Sequence, residues 1–269
     1  MRLHKGLVIL FWHITALSFD DVTVMEKILD IATAQRDAQE NLTRALREDA
    51  IPAILTAQDQ LHALDTLLNI ELNKDNGKIW KEASTPEDIQ KLYKDLDDLK
   101  STTSFATDEK IFKIVEGLKE SKTLLEEALN RREVINILKL KNLIREFNLL
   151  LGAETTYAVT YAQRHNTNDF TNTPFNNQTP ASINNLSAET NAEERKKKII
   201  QLYKDAEALF TSSSANKDKK NILIAYDALG QLHKLLKEEI IKFKQEKAPL
   251  SLGPSAEKIS NTIKELSTK

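Results

Sequence analysis

The chain holds few residues that let a backbone turn. Six glycines and six prolines are spread over 269 residues. A β-sandwich or barrel needs a turn after every short strand and relies on Gly and Pro to make them. Long helices need neither. The scarcity points to an all-α fold, a multi-helix bundle of long amphipathic helices. Hydrophobic residues at 41% and charged residues at 29% supply both a core and solvated helix faces.

Apolar residues recur at helical spacing along most of the chain. Residues 21–49 read as a first helix, with Thr23 and Glu26 at capping-box spacing. Pro52 suits the first turn of a second helix, which ends near Asn73 ahead of Asp75-Asn76-Gly77. Ile79 and Trp80 fall in a connector. Thr85-Pro86-Glu87-Asp88 carries a cap, a proline at the first helical position and acids in the first turn; Ser101 to Ser104 ends that helix. Thr107-Asp108-Glu109 opens the longest helical stretch, reaching toward Gln163, with Arg131-Arg132 or Gly152 as the places to divide it. Within it, Val134 to Leu151 is apolar on most sides, the pattern of a buried helix. Helix returns from about Ala188 to Phe210, Ser212 to Lys217 reads as a turn, and 218–246 as another long helix. Pro249 and Pro254 bracket a break before a short last helix, Ser255 to Leu266.

One segment has no period: HNTNDFTNTPFNNQTPASINNLS, His165 to Ser187. It buries too little apolar surface to offset its ordering entropy, so a flexible Asn/Thr-rich linker is expected over 165–187. It separates an N-terminal helical bundle, 19–164, from C-terminal helices, 188–269, that can pack on the same bundle.

The start, MRLHKGLVILFWHITALSFDD, has the layout of a secretory signal peptide over residues 1–18. Arg2 and Lys5 precede an apolar run, and Ala16 and Ser18 supply the small residues that cleavage before Phe19 requires. The run is shorter than the roughly 20 residues that span a bilayer, so no transmembrane segment is expected in the mature chain. The expected location is secreted, periplasmic or at the cell surface. Losing Arg2 and Lys5 would move the net charge from −2 by two, to −4. A mildly acidic chain has no field to gather nucleic acid, and no nucleic-acid partner is expected. With no cysteine there are no disulfides and no thiolate chemistry.

Candidate chemistry is sparse. Asp59 and His62 stand at i, i+3 on a helix, one unit of a pattern that di-iron bundles use twice. No second unit exists, and His233 follows Gly230 rather than an acid. There is no Gly-x-Ser-x-Gly elbow and no Gly-rich phosphate loop. No catalytic residue, metal ligand or cofactor is assigned, and the chain reads as no enzyme. A bundle enzyme would require bound metal, or a pocket gathering His62 or His233 with carboxylates.

Two interaction patches stand out. Arg195, Lys196, Lys197 and Lys198 form the densest basic run, directly behind Glu193 and Glu194. Tyr157 and Tyr161 lie at i, i+4 ahead of the Asn/Thr segment, where they would share an exposed face. Asn41, Asn177 and Asn185 each open a glycosylation tripeptide, relevant in a eukaryotic source.

Charged amphipathic helices such as DEKIFKIVEGLKESKTLLEEALN, in a cysteine-free chain rich in Lys, Asn, Ile and Leu, resemble in style the all-helical surface antigens of Borrelia-type spirochaetes. That resemblance implies a helical protein that binds host proteins from the cell surface. It carries over no binding residue, and the N-terminal cysteine that lipidates many of those antigens is missing here. The expected function is an exported, non-enzymatic helical protein acting by protein–protein interaction, its protein partner unknown. Self-assembly into a structural or secretion-accessory form is the alternative. A helical ligand carrier or enzyme ranks third.

Overall fold

A computed structural model describes residues 19–74, 78–165, 183, 186, 191–245 and 254–268. The signal expected over 1–18 and most of the Asn/Thr-rich segment lie outside the described residues. Nine helices and no strand occur among the described residues, so the chain is an all-α helical bundle. They are α1 (Phe19–Arg47), α2 (Ile51–Asn73), α3 (Lys78–Lys81), α4 (Glu87–Ser101), α5 (Asp108–Arg131), α6 (Val134–His165), α7 (Ala192–Asn216), α8 (Lys219–Gln245) and α9 (Pro254–Thr268). No helix among the described residues is long and apolar enough to cross a membrane.

Three helical hairpins, α1–α2, α5–α6 and α7–α8, make up most of the molecule. Each closes through a non-glycine residue with positive φ: Asp49 at 53°, Arg132 at 56° and Lys217 at 53°. At Arg132 the backbone N–H bonds back to Ala128 O and Leu129 O, and Glu133 N–H to Ala128 O, so the last carbonyls of α5 are satisfied. The long stretch opened by Thr107 therefore divides at Arg132, and Gly152 stays inside α6. Thr107 does cap α5, its side chain accepting from Lys110 N–H at 3.3 Å.

Other boundaries depart from the sequence reading. Helix α1 already runs through Thr23, which sits inside the helix rather than at its cap. Helix α3 replaces the expected connector, and Trp80 is buried with its Nε1 donating to Leu72 O at 3.1 Å. Pro86 stands just before the first residue of α4. The serine run 212–214 continues α7, because its hydroxyls bond the helix's own carbonyls: Ser212 to Leu209 O at 3.1 Å and Ser214 to Phe210 O at 2.5 Å. In the Asn/Thr segment, Ile183 and Leu186 are buried at 6% and 4% exposure, so these two positions do reach a core.

The packing gathers into three clusters. Helices α4, α5 and α6 meet around Ile111, Leu143 and Phe147, joined by Leu29 of α1 and Ile222 of α8. The end of α1 and start of α2 meet α7 and α8 around Leu42, Ile54, Ile199 and Leu232, with Ile183 and Leu186. The start of α1 and end of α2 enclose Leu138 of α6, Trp80, and Ile259 and Leu266 of α9. C-terminal and N-terminal helices thus share all three cores. Helix α6 is the central element: Ile137, Leu138, Leu140, Leu143, Phe147 and Leu151 are each at most 1% exposed.

Two buried lysines pin the connectors on either side of α4. Lys139 donates to Ala83 O at 2.6 Å, to Ser84 O at 3.2 Å and to the Thr85 hydroxyl. Burial holds its ammonium below the ordinary lysine range. Lys110 donates to Thr102 O at 3.2 Å and Ser104 O at 3.3 Å, and pairs with Glu154 at 2.7 Å, both side chains at 4% exposure or less.

Candidate functional site

The second of these clamps carries an exposed aromatic ladder. Glu154 also accepts from Ala106 N–H at 2.5 Å, which fixes the segment between α4 and α5 and turns Phe105 outward. From that pedestal Phe105 stacks on Tyr157 at 4.6 Å between ring centroids, Tyr157 on Tyr161 at 6.1 Å, and Tyr161 on His165 at 4.3 Å. Tyr157, Tyr161 and His165 share a face because they are spaced by four on α6. Phe105, Tyr157 and Tyr161 are 53%, 43% and 50% exposed. The other exposed large hydrophobics among the described residues, Ile70, Leu149 and Ile241, are not part of this stack. Lys110 Nζ lies 5.3 Å from the Phe105 ring centroid, adding a cation–π contact from beneath. The tyrosine spacing was legible in the sequence. Phe105 was not, since only the Lys110–Glu154 clamp brings it across.

The basic run does not act as one surface. Arg195 bridges to Glu239 at 3.2 Å and Glu238 at 3.4 Å on α8, and Lys196 is buried against Glu193 at 3.0 Å. Lys197 and Lys198 are exposed. Of the three glycosylation positions, Asn41 lies mid-helix in α1, donating to Ser255 Oγ at 3.0 Å across to α9. Asn177 and Asn185 lie outside the described residues.

A second site opens where the hairpins converge. A cleft of about 330 Å³ is lined by Gln35 of α1, Gln58, His62 and Asp65 of α2, Lys141 of α6, Tyr203 of α7 and His233 of α8, among others. His62, Asp65 and His233 keep solvent access through it, and Gln35 and Gln58 are buried at its wall. Gln35 Nε2 donates to Asp65 Oδ1 at 2.5 Å, while Gln35 Oε1 is buried without a hydrogen-bond partner. The Tyr203 hydroxyl stands beside the side chains of Gln58 and Glu207.

Enclosure by protein sets the electrostatics of the cleft. It raises the Asp65 carboxyl above the usual range, against the opposing pull of Lys141, His62 and Lys237. It lowers the Lys141 ammonium, against Asp65 and Glu126. It also lowers His233, helped by the positive charges of Lys237 and His62. Tyr203 is raised by burial first and by Glu207 second.

The cleft gathers both histidines with carboxylates, the arrangement a bundle enzyme would require. No group of side chains that could hold a metal occurs among the described residues, and Asp59 pairs with Lys244 at 2.7 Å. Among those residues no hydrogen bond joins either imidazole side chain to a carboxylate or a hydroxyl. His62 and His233 were visible in the sequence; Gln35, Lys141 and Tyr203 read there as ordinary helix residues.

No protein-family model matches the chain, and no curated protein or solved structure matches it significantly.

Proposed function

We propose that this chain is an exported, non-enzymatic helical protein that binds a protein partner through the aromatic ladder. The observation that carries the reading is the stacked face of Phe105, Tyr157, Tyr161 and His165, held by the buried Lys110–Glu154 pair. Aromatic side chains with few rotatable bonds dominate protein–protein hot spots, and a stack fixed before contact loses little entropy on binding. The mild acidity of the chain favours a protein over nucleic acid as the occupant. Export rests on the layout of residues 1–18, and the style resemblance to spirochaetal surface antigens points the same way.

The binding test places a photo-crosslinking phenylalanine at Tyr161, with Ile241 as an equally exposed apolar control. The expected result is one discrete adduct with another protein from position 161, lost when Tyr157 is changed to Ser, and none from 241. An adduct between two copies of the chain would favour self-assembly instead. No adduct, or the same adducts from both positions, removes the reading. N-terminal sequencing of the fractionated protein tests export: the intact chain found only in the cytosol overturns that part.

A further inference from the structure

The cleft presents a charge arrangement that its own side chains leave incomplete. Asp65 and Lys141 line the same cavity, yet no ion pair within 4 Å joins them, nor ties Lys141 to any carboxylate among the described residues. Arg36 and Glu126 line it too, so each charged end has a like-signed neighbour. Gln35 is held against Asp65 although its buried carbonyl oxygen goes unpaired, which is unfavourable for a buried acceptor. A buried acceptor left unpaired beside a carboxylate at the open side of the cleft marks a place shaped by something other than stability.

The chemistry of the occupant follows from that arrangement. A simple anion would meet Asp65 and Glu126, and a simple cation would meet Lys141 and Arg36. A neutral molecule would leave Lys141 without a counter-charge and Asp65 with the Gln35 amide alone. A compact molecule carrying both signs satisfies each. Amide and hydroxyl groups of Gln58 and Tyr203, with Leu61, Leu125 and Leu129, line the rest and suit a short mixed-polarity body. The volume, about 330 Å³, falls at the small end of ligand sites. We infer that the cleft binds a small zwitterion of the free amino acid class, its ammonium at Asp65 and its carboxylate at Lys141. This activity is separate from the aromatic ladder and stands or falls without it.

The test uses the full chain and a panel of the twenty free L-amino acids, read by the imidazole resonances of His62 and His233, both of which line the cleft. At least one amino acid is expected to shift both resonances, leaving His165 unmoved. Its N-acetyl derivative, lacking the ammonium, and its amide, lacking the carboxylate, are each expected to bind at least about tenfold more weakly. Asp65→Asn is expected to lose about tenfold for the amino acid and little for the N-acetyl form; Lys141→Met is expected to lose about tenfold for the amino acid and little for the amide. The derivatives are compared on the unaltered protein, so the answer survives if either variant fails to fold. No shift from any member at about 5 mM, or blocked forms that bind as tightly as the parent amino acid, overturns the inference.

Discussion

The ring of Phe147 lies against Gly117, so close that a Cβ on residue 117 would stand 2.6 Å from Phe147 Cε1. This contact lies between α5 and α6, and Phe147 is fully buried. Alanine at 117 gains about 1 kcal/mol of helix propensity, but overpacking a closed core costs about 1–3 kcal/mol. Gly117→Ala is therefore expected to lower stability. Gly230, with nothing within 4 Å of its added Cβ, is the matched control: Gly230→Ala is expected to raise stability by up to about 1 kcal/mol. Denaturant unfolding of both variants decides it.

Arg132 and Lys217 are both exposed and both sit in the left-handed region that favours glycine. Each ends a long helix where glycine is the usual residue. Arg132→Gly and Lys217→Gly are each expected to stabilise by about 0.5–1 kcal/mol, the relief of backbone strain exceeding the added freedom of the unfolded chain. A fall in the unfolding midpoint for both would contradict the backbone account.

The Lys110–Glu154 pair supports the ladder from below. Glu154→Gln leaves a buried ammonium without its counter-charge, an expected loss of about 3–5 kcal/mol. The segment 102–107, which Lys110 and Glu154 hold through Thr102 O, Ser104 O and Ala106 N–H, should exchange its amides faster. Replacing both partners, Lys110→Met with Glu154→Leu, should recover most of the stability but not the loop anchoring. Hydrogen exchange at 102–107 separates the two effects.

His233 is held below the ordinary imidazole value of 6.5 by burial, with Lys237 and His62 adding to the effect. As pH falls through that value, the unfolded chain takes up a proton that the folded chain resists. Stability linked to His233 is thus present above about pH 6.5 and lost below it. His233→Gln is expected to lose less stability than the unaltered protein between about pH 7 and pH 5. Equal slopes in the two proteins would assign the acid sensitivity elsewhere.

The all-α class and most helices could be read from spacing alone, because a period of apolar residues is a local signal. The breaks were harder, and for a physical reason. Arg132 and Lys217 adopt a conformation that their residue types disfavour, so no local preference marks them. Ser212 and Ser214 look like turn residues but satisfy themselves on helix carbonyls. For the candidate sites, Tyr157 and Tyr161 were legible as an i, i+4 pair, while Phe105 reaches them only through the buried clamp. The cleft draws single residues from helices far apart in sequence, and no spacing rule can collect those.

The position of α9 has a consequence for synthesis. Ile259 and Leu266 fill the core between the start of α1 and the end of α2, and Gln60 holds α9 through Ala256 O at 2.7 Å and Ser260 Oγ at 2.9 Å. A nascent polypeptide emerging from its amino end displays Ile28, Ile31 and Leu64 for as long as residues 254–268 remain in the ribosomal tunnel. Closure of that layer waits until residues 254–268 have left the ribosome, leaving an interval in which a holding chaperone has apolar surface to grip.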